Sequence, residues 1–253
     1  MTTSMEGKLG IVSGGTSGIG LATAKMLLAE GAFVFIVGRN ESKGQKAAET
    51  LGKGCNFIQG DLSRPTDCQK VVTKVTQQLG KEAKKPGLVD FLINCAGTYE
   101  EERPEQITEE AYERIMDNNL KSTIFLTKEI LPWLKPGASI VNVASDAGIS
   151  GNYGCSLYSA AKGAVVAFTR SLALDLAPGV RVNCICPGDV DTPLVAQQLA
   201  QGHYTKEAMA AVYPLGRIGR PEEIAEVIAF LVKPGNGFMT GAILPVDGGL
   251  TAK

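Results

Sequence analysis

Strand-like and helix-like segments alternate along all 253 residues, which predicts an α/β fold: a parallel sheet covered by helices on both faces. Three observations carry this prediction. Short apolar runs bounded by glycine, such as Phe33-Val34-Phe35-Ile36-Val37, read as buried parallel strands. Helix-compatible stretches lie between them. A glycine-rich turn follows the first strand.

Taken in order, Gly10-Ile11-Val12-Ser13 ends the first strand, and residues 21–30 form a helix closed by Gly31. Strand two is residues 33–37 and strand three Asn56-Phe57-Ile58. A helix over 65–79 begins with Pro65, which a first helical turn tolerates. The polar stretch 81–87 contains Pro86-Gly87 and reads as a loop, and Phe91-Leu92-Ile93 is strand four. Thr108 opens a helix whose first turn carries Glu109 and Glu110, suited to its positive end. Residues 139–143 make strand five, a helix runs through Tyr158 to Leu176, and residues 180–185 make strand six. Pro221 starts a helix reaching Val232, and residues 243–246 are the last strand. Seven strands fall one short of an eight-fold barrel and favour an open, doubly wound sheet. No internal repeat or interdomain linker divides the chain.

Composition narrows the function. At 44% hydrophobic and 20% charged, the chain reads as a soluble globular protein. A net charge of -1 without a basic run argues against nucleic acid as a partner. The N-terminus lacks a secretory pattern, and no apolar run has membrane-spanning length. The six cysteines (Cys55, Cys68, Cys95, Cys155, Cys184, Cys186) show neither C-x-x-C nor zinc spacing. They read as reduced thiols of a cytoplasmic protein without a metal, with Cys184-x-Cys186 alternating as strand residues do.

Two motifs carry the chemistry. Gly14-Gly15-Thr16-Ser17-Gly18-Ile19-Gly20 links strand one to the first helix. Glycines there allow close backbone approach to a pyrophosphate, and the helix N-terminus supplies free N–H groups. Tyr158 and Lys162 are four residues apart, so a helix stacks them on one face. At ~5 Å and an effective dielectric of ~20, the lysine would stabilise a phenolate by roughly 3 kcal/mol. That predicts a tyrosine lowered from ~10 toward ~8, a useful acid or base for carbonyl/alcohol chemistry.

The spacing G-x-x-x-G-x-G, with Tyr158 and Lys162, resembles the short-chain dehydrogenase/reductase family in its compact single-domain branch. The resemblance extends over nearly the whole chain through Asn94-Cys95-Ala96-Gly97, Asn119, Ser145, Pro187-Gly188, Gly241 and Val246-Asp247-Gly248-Gly249. It implies one Rossmann-like domain over residues 1–253, with a substrate lid around 191–214, and hydride transfer between NAD(P)(H) and a carbonyl or alcohol. It implies a catalytic set of Asn119, Ser145, Tyr158 and Lys162. Tyr158 would move the proton, Lys162 would tune it and hold the nicotinamide ribose, Ser145 would donate to the substrate oxygen, and Asn119 would position a water.

The implied cofactor contacts are Gly14, Thr16, Ser17, Gly18, Ile19, Gly20, Arg39, Asp61, Leu62, Asn94, Ala96, Gly97, Tyr158, Lys162, Pro187, Gly188, Val190 and Thr192. Asp61 would meet adenine and Thr192 the carboxamide; each could instead be a helix cap. Strand two ends without an acid, in Gly38-Arg39-Asn40, so NADP(H) is expected over NAD(H), which remains possible. A homotetramer or homodimer is implied, with contacts on helices around 108–131 and 156–176. His203 reads as a loop residue, Cys155 as packing, and Lys206 as a possible contact for an anionic substrate group. Rival readings are a non-catalytic dinucleotide sensor and a sugar-nucleotide epimerase.

Overall fold

The computed structural model describes residues 5–79, 88–202 and 204–252. The loop expected at 81–87 and His203 lie outside these residues. Seven strands form one wholly parallel sheet: β1 (Leu9–Ser13), β2 (Phe33–Gly38), β3 (Cys55–Gln59), β4 (Val89–Asn94), β5 (Leu134–Val143), β6 (Val180–Pro187) and β7 (Ile243–Val246). Their order is β3-β2-β1-β4-β5-β6-β7, so the chain reverses its winding between β1 and β4. In such sheets ligands bind beyond the strands' C-terminal ends, at that switch point.

The helices are α1 (Gly18–Ala29), α2 (Glu41–Leu51), α3 (Pro65–Gln78), α4 (Glu109–Met116), α5 (Ser122–Ile130), α6 (Ser156–Leu176), α7 (Pro193–Ala200), α8 (Lys206–Ala211) and α9 (Pro221–Val232). One core layer joins β-strand residues Val12, Val34, Ile36, Ile93 and Val141 to Leu27 of α1 and Ile224, Ile228 and Leu231 of α9. The opposite layer packs Ile11, Phe35, Leu92 and Ile140 against Val71 and Val75 of α3 and Leu126 and Ile130 of α5. Consecutive residues of β1, Ile11 and Val12, thus enter opposite layers, as a sheet covered on both faces requires. No helix among the described residues is long and apolar enough to cross a membrane.

Two segments depart from the sequence reading. Helix α2 went unread because it is mostly polar and holds Gly44. The structure explains that glycine: a Cβ there would stand 2.1 Å from the Phe57 ring. The helix expected from Thr108 onward is interrupted at Asp117–Lys121 by a π-helical turn between α4 and α5. Thr108 does cap α4, accepting from the Ala111 N–H. Among the described residues, all six cysteines are free thiols, and Cys184 and Cys186 are wholly buried.

Candidate active site

Two cavities adjoin at the C-terminal edge of the sheet and share Ile19, Cys95, Gly97, Thr192 and Leu194. The first, about 390 Å³, is built around the β1–α1 turn. Gly14 adopts φ +66, and a Cβ on it would press within 3.0 Å of the Ala96 backbone. A Cβ on Gly20 would meet the Gly14 carbonyl oxygen at 2.5 Å. The turn therefore exists in this form only with glycine, and it leaves the N-terminus of α1 facing the cavity. Ser13 Oγ accepts from the N–H groups of Cys95 and Ala96, each at 3.0 Å, tying the ends of β1 and β4 together.

Thr16, Ser17, Gly18, Asp61, Leu62, Ala96 and Gly97 also line this cleft. Its rim carries two cations, Arg39 and Lys43. Arg39 Nη1 donates to Asn118 Oδ1 at 3.5 Å. Asn40 caps α2 by accepting from the Lys43 N–H at 2.9 Å, which fixes where Lys43 leaves the backbone. Asp61 does not cap α3: its Oδ1 accepts from the Ser63 hydroxyl at 2.8 Å, and its Oδ2 lies 3.7 Å from Arg64. A glycine-floored cleft with helix N–H groups and cations at its edge matches an extended, anionic dinucleotide.

The second cavity, about 500 Å³, holds Asn119, Ser145, Tyr158 and Lys162 together. Helix α6 supplies Tyr158 and Lys162 on one face, both buried, with Lys162 Nζ 5.7 Å from the Tyr158 ring centre. The ammonium donates to the Val143 carbonyl at 3.0 Å. Ser145 sits where β5 ends; its Oγ accepts from the Ala147 N–H and donates to Asp146 Oδ1 at 2.7 Å. Asn119 lies in the π turn: Nδ2 donates to the carbonyls of Thr98 and Ile115, each at 2.9 Å, and Oδ1 accepts from the Thr98 N–H. The bond to the Ile115 carbonyl comes from a side chain, so the irregular turn and the placement of Asn119 go together.

The family model described as Enoyl-(Acyl carrier protein) reductase matches residues 14–251. "Uncharacterized oxidoreductase YhxC" of Bacillus subtilis is 37% identical over 97% of this chain and 85% of its own. The chain is a short-chain dehydrogenase/reductase. The FabG 3-oxoacyl-[acyl-carrier-protein] reductase of Vibrio cholerae is 34% identical, covering 97% of this chain and 98% of its own. The NADP-dependent (R)-specific alcohol dehydrogenase of Lentilactobacillus kefiri is 36% identical over the full length of both. The crystal structure of a short-chain dehydrogenase/reductase from Brucella melitensis, titled glucose/ribitol dehydrogenase, superposes with a TM-score of 0.90 at 33% identity, covering 99% of each chain. This short-chain dehydrogenase/reductase is thus an NAD(P)-dependent oxidoreductase acting on CH–OH or C=O groups.

Its site corrects three sequence expectations. Tyr158 is not lowered. Burial pushes its phenol well above the ordinary tyrosine range; a Ser145 hydrogen bond pulls the other way, and the charges of Asp146 and Asp189 add to the rise. Lys162 is itself driven down by burial, its ammonium bonded to a carbonyl rather than aimed at the phenol oxygen. The sequence argument weighed the attraction but not the cost of burying a phenolate. Second, Asn94 does not line either cavity. It lies beneath the end of β4, where its amide donates to Thr127 Oγ1 and Asn142 Oδ1. Third, Lys206 does not reach the second cavity but pairs with Asp191 at 2.6 Å.

Thr192 caps α7 and stands on the wall between the cavities, beside Pro187, Gly188 and Val190. Helix α7 lines the second cavity with Leu194, Val195 and Gln198, and α8 and the residues just after it with Met209, Val212 and Tyr213. Cys155 is buried and lies 3.0 Å from the Tyr99 hydroxyl, which also donates to Glu101 at 2.5 Å. Sequence reasoning missed Lys43, Asp146 and Asp189, whereas Tyr99 and Glu101 fall in the stretch 98–106 expected on the substrate side. Lys43 alone carried a signal, a cation four residues past Arg39.

Proposed function

We propose that this enzyme interconverts a ketone or aldehyde with its alcohol, using NADP(H) in preference to NAD(H), with Tyr158 as the proton donor and acceptor. The observation that carries the reading is the convergence of Tyr158, Ser145, Lys162 and Asn119 on a cavity that shares a wall with the glycine-floored cleft. The residues of that cleft fit a dinucleotide phosphate: Gly14 to Gly20 for the pyrophosphate, Arg39 and Lys43 for a 2′-phosphate, and Thr192 at the nicotinamide end. The bound nicotinamide supplies hydride exchange. Tyr158 then gives its proton to the substrate oxygen in reduction, and as phenolate takes one from the alcohol in oxidation. Raised above its ordinary range by burial, Tyr158 is protonated at neutral pH, the form from which reduction starts.

Asn119, fixed by three hydrogen bonds, would hold the water that links Lys162 to solvent. Residues 191–214 would act as the lid that excludes water during transfer. One domain over 1–253, a cytoplasmic location and a homotetramer or homodimer belong to the same reading. The exposed Ala160, Ala167 and Leu174 of α6 support an assembly contact there.

Charge narrows the substrate. Glu101, Asp146 and Asp189 line the second cavity, and among the described residues its only cation is the buried Lys162. Burial raises the Asp189 carboxyl, with the nearby Asp146 and Glu101 charges adding to it. A carboxylate- or phosphate-bearing substrate meets repulsion there that Lys162, buried and bonded to the Val143 carbonyl, offsets only in part. The cavity therefore favours a neutral or cationic carbonyl compound over one that carries an anionic group into the cavity. The test follows NADPH and NADH oxidation against diketones, keto esters, sugars and cyclic ketones, with Tyr158→Phe alongside. Turnover with NADPH that falls by ~100-fold or more in the variant supports the reading. Activity that survives the substitution removes Tyr158 as the donor.

A further inference from the structure

One carboxylate of the catalytic cavity has no cation beside it. Glu101 lines that cavity and is half-buried. Among the described residues it enters no ion pair, whereas its neighbour Glu100 holds Arg114 at 2.6 Å. Its partners are two phenols: Tyr99 donates to Oε1 at 2.5 Å and Tyr204 to Oε2 at 3.1 Å. An ionised carboxylate offers about four acceptor sites, so roughly half stay open after both bonds are made. A charge drawn partly out of water is costly until an opposite charge or further donors meet it.

The two phenols fix where this carboxylate stands. Tyr99 follows β4, and its ring packs edge-on against the Tyr158 ring, with centres 4.9 Å apart. Tyr204 lies between α7 and α8, so Glu101 joins the segment after β4 to the helices that cover the cavity. On a third side, a Cβ on Gly154 would lie 3.7 Å from Glu101 Cβ, which seats Glu101 against the loop ahead of α6. One tyrosine side chain therefore separates the Glu101 carboxylate from the Tyr158 ring. A carbonyl at Tyr158 and a cation at Glu101 can belong to one small molecule. Two aromatic rings beside the carboxylate add attraction for a cation.

The other carboxylates of the cavity are engaged differently. Asp146 is 6% exposed, and its two oxygens accept from the Ser145 hydroxyl and the Asn152 amide. Asp189 packs on Tyr213, whose hydroxyl accepts from the Asp189 N–H at 2.6 Å, and burial raises its carboxyl.

We propose that Glu101 is the specificity-determining residue of this cavity and that the substrate is an amino ketone or the matching amino alcohol, its ammonium held by the Glu101 carboxylate while its carbonyl or alcohol meets Tyr158. The inference deepens the reaction proposed above and rests on it only for the reacting end of the molecule.

The test uses three methyl ketones that carry a dimethylammonium, an isopropyl or a carboxylate group three methylenes from the carbonyl. The isopropyl compound matches the dimethylammonium in shape without its charge. Values of kcat/KM with NADPH at neutral pH are compared for the parent, Glu101→Gln and Glu101→Lys, with thermal unfolding and NADPH binding as controls of folding. The parent is expected to prefer the dimethylammonium over the isopropyl compound by about tenfold, and Glu101→Gln to bring that ratio to about one. Glu101→Lys is expected to prefer the carboxylate. A Glu101→Gln enzyme slowed equally on both compounds, with the ratio intact, would overturn the proposal, since Glu101 would then only fasten Tyr99 to Tyr204. A parent without preference for the ammonium would overturn it as well. Binding of the same ketones to the NADP+-loaded enzyme, which cannot reduce them, separates this inference from the reaction beneath it. Tighter binding of the ammonium compound that is lost in Glu101→Gln upholds the inference even where Tyr158→Phe stays active and Tyr158 is removed as donor. Equal binding of both compounds overturns it.

Discussion

Gly97→Ala is the sharpest mechanical test of the site. A Cβ on Gly97 would stand 2.6 Å from Asn119 Oδ1 and 3.3 Å from Lys162 Nζ. Carbon and oxygen do not approach that closely, so one of them must move. Asn119 is not the free end of a flexible chain: it is 1% exposed and its amide makes three hydrogen bonds, two of 2.9 Å and one of 3.3 Å. Displacing it weakens bonds worth roughly 1 kcal/mol each, and overpacking adds about 1–3 kcal/mol. Allowing for partial relaxation, the expected loss is about 2–4 kcal/mol, or roughly 4–16 °C in Tm for a chain of this size. Activity should fall by ~10-fold or more, because the same shift moves Asn119 relative to Lys162. Thermal unfolding by circular dichroism and initial rates with NADPH measure both. A variant with Tm within about 2 °C and kcat within about twofold of the parent would refute the packing argument.

Three further outcomes follow from the structure. Arg39→Ala should raise KM for NADPH by ~10-fold while leaving KM for NADH nearly unchanged, since one charged hydrogen bond to a 2′-phosphate is at stake; equal effects on both cofactors would count against NADP(H) preference. Glu223 is held down to about 2 by its paired bonds to Arg217, at 2.7 and 2.8 Å, and by the Arg220 N–H. Its pKa is depressed on folding, so the stabilisation is present above about 4.5 and lost as pH falls toward about 2. Glu223→Gln should therefore cost ~1 kcal/mol or less at neutral pH, and urea titrations should show that difference vanishing in acid. Methyl ketones that differ only in a remote trimethylammonium, tert-butyl or carboxylate group should be ranked in that order by kcat/KM, with about tenfold between the extremes; a carboxylate ranked first would reverse the charge reading.

Much of this architecture was legible because its signals are local. Glycines at 14, 18 and 20 announce a turn that only glycine can make, and the runs 34–37 of β2 and 91–93 of β4 are apolar because both faces of the sheet are buried there. The pairing of Tyr158 with Lys162 follows from helical spacing alone. What stayed hidden depends on distant residues. Gly44 weakens the signal of α2 yet is required by Phe57, thirteen positions later and one strand away. Asp146 follows Ser145 directly, but only the fold shows the hydrogen bond between their side chains. Tyr158 was misjudged because sequence distance gives the attraction of Lys162 and says nothing of solvent. Asn94 was misplaced because a strand-end residue can face a cavity or the layer beneath, and its partners Thr127 and Asn142 decide between them.

The irregular turn at Asp117–Lys121 sets a rotational phase. An α-helix advances about 100° per residue. Helix α4 packs on α6, whereas α5 packs on α3, on the far side of the same continuous spiral. The wider turn changes the angular offset between these two contact faces while pointing Asn119 inward. Removing one residue there would do more than shorten a loop. It would rotate one half of the spiral by about 100° against its neighbour, so either the α6 contact or the α3 contact would present the wrong face. The chain is therefore less tolerant of a deletion in these five residues than of most substitutions within them.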